Sequence, residues 1–217
     1  MNRLAIETAF ETCSVALDCG GEVRTRAKTE PRAHGSLLLP FIDELLAEAG
    51  IGYGDLDALI VDRGPGSFTS LRIGLGVAQG LALAHDLPVH PVSSLAMIAA
   101  TGRSSDGPDR VLAAMDARMG EIYTAVFRFD HDRPVLEGAE TLCAPEDLPA
   151  PDGEAQAVGT AFAVHAGALP RELVERLDPI RSDVPPDAAV LLRLAADIDP
   201  VEAHTLAPVY LRDNVAN

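Results

Sequence analysis

Two stretches of this sequence follow one plan, and that repetition constrains the fold more than any other feature. In LAIETAFETCSVALD, near the start, a short apolar strand ends on an acidic residue, Glu7, and a β-rich strand soon returns. VLAAMDARMGEIYTAVFRFD repeats the pattern, with Asp116 closing the apolar strand. A supersecondary unit written twice predicts two α/β domains built alike; a β-hairpin in each half would look the same. TGRSSDGPDR, rich in Gly, Ser, Asp and Pro, is the natural break between them. The expected domains are therefore 1–106 and 107–217, with the tail packing back on the first.

Between these landmarks the pattern alternates. TCSVALDCGGEVRTRAKT reads as a hairpin turning at Gly20-Gly21. AHGSLLLPFIDELLAEAG reads as a helix, with Leu38, Ile42, Leu45 and Ala49 at helical spacing and Gly50 placed to stop it. Pro40 interrupts that pattern, as a kink or as the true first turn. LDALIVD is a buried strand; PVHPVS and SLAMIAA read as strand and helix. Further on, AQAVGTAF reads as a strand, PRELVERLDP and DAAVLLRLAADID as helices, and APVYLRDNVAN as an extended tail.

Composition narrows the class. The chain has 217 residues, 47% of them hydrophobic, ample for a packed core. Its longest apolar run, around Ile73 to Ala84, falls short of the roughly 20 residues a membrane span needs. The N-terminus carries Glu7 and Glu11 where a signal peptide would be apolar, so the expected location is cytoplasmic. Cys13 and Cys19, on one strand, are about 20 Å apart, beyond disulfide reach. With Cys143 alone, reduced buried thiols are expected. Net charge is −16, with 17 basic residues against 33 acidic. RNA is gripped mainly through Lys and Arg, so any action on nucleic acid is expected to borrow a partner's grip.

DRGPGSFTSLRIGLGVAQGLALAHD poses the functional question. A Gly-Pro-Gly loop opens onto a helix, as phosphate cradles do. It lacks the Lys and the glycine spacing of a Walker loop, and Pro65 removes one N–H donor. An anion near Arg63 or Arg72 is one reading; a tight strand-to-helix turn, with Ser67 or Thr69 capping the helix, is the favoured one. The helix has a single polar residue, Gln79, in IGLGVAQGLALA. Leu71, Leu75, Ala78 and Ala82 lie on one side; Ile73, Val77, Gly80 and Ala84 on another. Gly76 and Gly80 are four apart, as are Gly74 and Ala78. Glycine in a helix costs about 1 kcal/mol relative to alanine, so such notches call for a compensating contact. Either both faces are buried within the chain, under the first helix, or one takes a protein partner.

Signals for chemistry are sparse. The histidines, at 34, 85, 90, 131, 165 and 204, form neither H-x-x-x-H nor H-E-x-x-H, and no G-x-S-x-G elbow is present. Glu7 and Asp116 read as solvated turn acids, with a metal–nucleotide clamp as the alternative. His34 reads as a surface residue at a helix start.

Taken together, RGPGSFTSLRIGLGVAQGLALAHDLPV, LAIETAFETCSVAL, LLPFIDELLAEAG, MDARMGEIYTAVF and the terminal PVYLRD resemble the bacterial TsaB family, also called YeaZ. The resemblance covers most of residues 3–129 and resumes at the tail. It implies an actin, sugar-kinase and Hsp70-like (ASKHA) fold: α/β, with mixed sheets flanked by helices in duplicated ribonuclease-H-like domains. It implies a role in making N6-threonylcarbamoyladenosine (t6A) on tRNA, as a non-catalytic relative of the transferase TsaD. TsaD and the ATPase TsaE are the implied protein partners, with a homodimer when the chain is alone and tRNA met only through the complex. No cofactor is implied for the isolated chain; ATP and metal belong to the partners. The implied interface is the two helices near 34–49 and 70–84, with Leu38, Phe41, Ile42, Leu45, Ile73, Gly74, Val77 and Leu81 as candidate contacts and Val77→Glu as the disrupting change. The family usually has Asp at position 7 and Gly at position 70, where this chain has Glu7 and Ser70. An ASKHA-type ATPase or small kinase, and a metallopeptidase-like protein, are the alternatives.

Overall fold

A computed structural model describes residues 1–212, so Asp213 of the terminal PVYLRD motif lies outside the described residues. The chain divides into two compact units. The first comprises Met1–Ser94 and Pro186–Val209; the second comprises Leu95–Pro185 and continues from Tyr210. The break therefore falls at residue 94 rather than 106. The polar TGRSSDGPDR segment is only a connection inside the second unit, between a helix and its first strand.

In the first unit, β1 (Asn2–Glu7), β2 (Thr12–Cys19) and β3 (Glu22–Thr29) form an antiparallel meander. Helix α1 (His34–Ala49) leads to β4 (Ala58–Asp62), parallel to β1, and α2 (Phe68–His85) leads to β5 (Val89–Val92), parallel to β4. The sheet order is β3-β2-β1-β4-β5. Both faces of β1 and β4 are covered, which is why RLAIE and ALIVD lack the polar alternation of a half-exposed strand. One face carries Leu4, Ile6, Val15, Leu17, Leu59 and Val61, clustered with residues of α1 and α2.

Helix α3 (Ser94–Gly102) enters the second unit. There β6 (Arg110–Asp116), β7 (Ile122–Asp130) and β8 (Arg133–Cys143) form a second antiparallel meander. Next come β9 (Ala155–Val158), parallel to β6, the short helices α4 (Ala161–Val164) and α5 (Arg171–Val174), and β10 (Leu177–Arg181), parallel to β9. The order β8-β7-β6-β9-β10 is that of the first sheet, element for element. The repeated sequence plan is thus a repeated topology, two α/β units of ASKHA type.

The segment 186–209 returns to the first unit. Its helix α6 (Ala188–Leu194) packs on β1 and β2, where Ala188 N–H donates to Ser14 Oγ and Arg3 donates to the Leu192 carbonyl. No helix among the described residues is long and apolar enough to cross a membrane.

Candidate functional site

Helix α1 places Leu38, Ile42, Leu45 and Leu46 against its own sheet. Gly50 ends it in the left-handed conformation, φ 70°, as its position predicted. The helix begins at His34, so Pro40 lies within it, and Pro40 itself is exposed. His34 does start the helix, but it is buried, a correction to its reading as a surface residue.

The loop before α2 is shaped by close approach. A Cβ at Gly66 would stand 2.4 Å from the Ala9 carbonyl oxygen, and one at Gly74 would stand 2.2 Å from Thr8 Oγ1. The N–H of Ser67 donates to that same Ala9 carbonyl at 2.6 Å. Ser67 occupies the N-cap position, yet neither its side chain nor that of Thr69 caps the helix. The glycines here serve a tight strand-to-helix turn pressed on the β1–β2 loop.

The two sides of α2 behave differently. Ser70, Leu71, Gly74, Leu75, Ala78 and Ala82 are buried. On the opposite side Phe68 (41% exposed), Arg72, Gly76, Gly80 and Leu83 (71% exposed) follow one another at helical spacing. Nothing lies within 4 Å of a Cβ built at Gly76 or Gly80. Ile73, Val77 and Leu81 are half-buried on the flank, where Ile73 comes within 3.9 Å of a Cβ built at Gly35 of α1. Leu39 of α1 is exposed and Phe41 half-buried. The Arg72 guanidinium stacks on the Phe68 ring at 3.6 Å. From Arg63 to His85 there is no acidic residue, in a chain that carries 33 of them.

This geometry sorts the sequence-based contacts. Leu38, Ile42, Leu45 and Gly74 are committed to the core of their own unit and cannot present a surface. Phe41, Ile73, Val77 and Leu81 border the open face. Phe68, Arg72, Gly76, Gly80 and Leu83 form it on α2, and Leu39 is exposed on α1. On α1 the strongest apolar period is the buried one, which hid the exposed stripe; on α2 the row Ile73, Val77 and Leu81 falls at the edge of the open face, and only Gly74 of the expected contacts lies in the core. Gln79, the one polar residue of the apolar run, is used internally, donating to the Leu206 carbonyl at 2.8 Å.

The strand-end acids were expected to be solvated, but Glu7 is buried and Asp116 half-buried. Glu7 is 0% exposed; its Oε1 accepts from Ala9 N–H, and its Oε2 has no hydrogen-bond partner. Burial and then Asp62 push its carboxyl well above the usual carboxylate range, against the lowering pull of the Ala9 and Phe10 N–H groups. Asp116 takes its own partners within the second unit, with His165 Nε2 at 3.0 Å and Arg118 N–H at 3.1 Å. Cys13, Cys19 and Cys143 are free thiols. Burial, followed by the nearby Glu7, pushes Cys13 up to about 12. Among the described residues no three His, Cys, Asp or Glu side chains gather as metal ligands would.

Comparison with known proteins places this geometry. The family described as "TsaD: tRNA N6-adenosine threonylcarbamoyltransferase" matches residues 25–174. The Escherichia coli "tRNA threonylcarbamoyladenosine biosynthesis protein TsaB" is 40% identical over 228 residues, covering 100% of this chain and 96% of that protein. The chain belongs to the TsaB family. The Haemophilus influenzae TsaB is 37% identical, over 99% of this chain and 95% of its own. The solved structure of YeaZ from Pseudomonas aeruginosa superposes with a TM-score of 0.88 at 37% identity, covering 97% of this chain and 99% of that one. The match to the TsaD family spans residues of both units.

Proposed function

We propose that this chain is a non-catalytic scaffold subunit in tRNA threonylcarbamoyladenosine biosynthesis, holding the transferase TsaD through the outer face of α1 and α2, with the ATPase TsaE joining the pair. The relatives' names supply the pathway. The observation that carries the role is the glycine-notched side of α2. Leaving Gly76 and Gly80 in the open forgoes about 1 kcal/mol each relative to alanine, and a helix approaching to backbone distance offsets that cost. An apolar strip without acidic residues lets such a helix dock without like-charge repulsion in an otherwise acidic protein. In isolation the same strip serves a second copy of the chain.

The chain has no His pair in H-x-x-x-H, so ATP and metal are assigned to the partner subunits, which also make the tRNA contacts. Work of this kind belongs in the cytoplasm. The test is reconstitution of tRNA modification from TsaD, TsaE, tRNA and the small substrates, with and without this chain. Modified adenosine only when the chain is present supports the scaffold. Equal modification without it, or turnover of Mg-ATP by the isolated chain, refutes it.

A further inference from the structure

We propose that Glu7 is held as a neutral carboxylic acid whose O–H donates a hydrogen bond to Asp62, so that two buried acids carry one negative charge between them and fix the loop ahead of α2. This goes beyond the scaffold reading and does not depend on it. Strands β1 and β4 are parallel and in register up to Ile6 opposite Val61, which makes Glu7 and Asp62 neighbours at the ends of adjacent strands. Adjacent strands run about 4.8 Å apart. Glu7 follows Ala5, and Asp62 follows Ile60, on the sheet face opposite Leu4, Ile6 and Val61. Both are buried, Glu7 at 0% exposure and Asp62 at 1%.

Hydrogen bonds anchor both acids, and Asp62 Oδ2, like Glu7 Oε2, is buried. Asp62 Oδ1 accepts from Gly64 N–H at 2.7 Å and from the Ser94 hydroxyl, two donors that favour its ionised form. Glu7 Oε1 accepts from Ala9 N–H at 2.8 Å, with the Phe10 N–H also drawn to its carboxyl, and Oε2 is without a partner. An unpartnered buried carboxylate oxygen is costly, whereas a protonated one becomes a donor. The other ionisable groups facing Glu7 are Asp187, ahead of α6, and the Cys13 thiol on β2. Neither supplies positive charge. Both acids hold the turn that starts α2: Asp62 through Gly64, and Glu7 through Ala9, whose carbonyl receives the N-cap N–H of Ser67.

The sign follows from linkage. Glu7 has its folded-state carboxyl raised above the unfolded value, so its contribution to stability is complete at acidic pH. That contribution is lost as pH rises through the folded value, when a second charge appears in the pair.

Carbon-13 NMR of the glutamate side-chain carboxyls, in the full chain over mildly acidic to mildly alkaline pH, tests this. One glutamate, absent from the spectrum of Glu7→Gln, is expected to remain protonated at neutral pH while the exposed ones are ionised. In Asp62→Asn that resonance moves towards the ordinary glutamate range, an assignment that stands even where Glu7→Gln fails to fold. The unfolding midpoint of Glu7→Gln is expected to fall less with rising pH than that of the natural chain. A Glu7 carboxyl that titrates with the exposed glutamates overturns the proposal. So does a rise in the natural chain's midpoint with added magnesium that Glu7→Gln lacks, since a cation and not a proton would then neutralise the pair.

Discussion

Gly66 and Gly80 are one residue type used for opposite ends. Gly66 is pressed against the Ala9 backbone, and a methyl there has no room. Gly66→Ala should therefore lower stability to urea by about 1–3 kcal/mol through overpacking. Gly80 is helical and open, so Gly80→Ala should raise stability by roughly 0.5–1 kcal/mol in the same measurement. Cys13 offers a second check at this scale. With its thiol pushed up to about 12 and its side chain buried, alkylation of the native protein at neutral pH should leave Cys13 unmodified until the protein unfolds. Glu7 shows where sequence ran out. A charged residue at the end of an apolar strand reads as solvated, because nothing local announces that Asp62, from another strand, and the covering chain will enclose it.

At the scale of elements, α1, α2, α3, α6 and most strands follow from their periods, whereas α4 starts within AQAVGTAF, which reads as strand, and which side of a helix faces the sheet did not follow. The core row of α1, Leu38, Ile42 and Leu45, is the strongest apolar period in that segment, and a strong period marks burial. The open strip of α2 is weaker because glycines carry no hydropathy signal. Strand β8, with Gly138 at φ 85°, Pro134 and three acids or bases, lies at an edge of its sheet and has no clean period of two; such interruptions guard an edge strand against further pairing. Likewise the helix expected over PRELVERLDP ends at Val174, and its last three residues open β10, which contains Pro179. The residue just ahead of the extended tail, Leu206, is fastened to α2: it is buried in the first unit's core while its carbonyl takes the Gln79 amide. Leu206→Ala should accordingly cost about 2–5 kcal/mol in urea unfolding, a loss far larger than an unattached tail would show.

For the whole molecule, the repeated plan was legible from two strand–turn–strand segments, and the identical sheet orders of the two units give it physical form. The division of the chain was less legible. Composition marks polar connections, and the return of residues 186–209 to the first unit depends on contacts such as Ala188 with Ser14 that are far apart in sequence. The central claim concerns the open side of α2. Val77 is half-buried, so a charge there would mix lost packing with lost docking; Gly80→Glu adds its side chain to open space and separates the two. The decisive measurement is the affinity of the full chain for its cognate TsaD, natural against Gly80→Glu, by calorimetry with unfolding curves recorded on both. The account predicts a variant at least as stable as the natural chain that no longer binds. A Gly80→Glu chain that binds TsaD with undiminished affinity would contradict it.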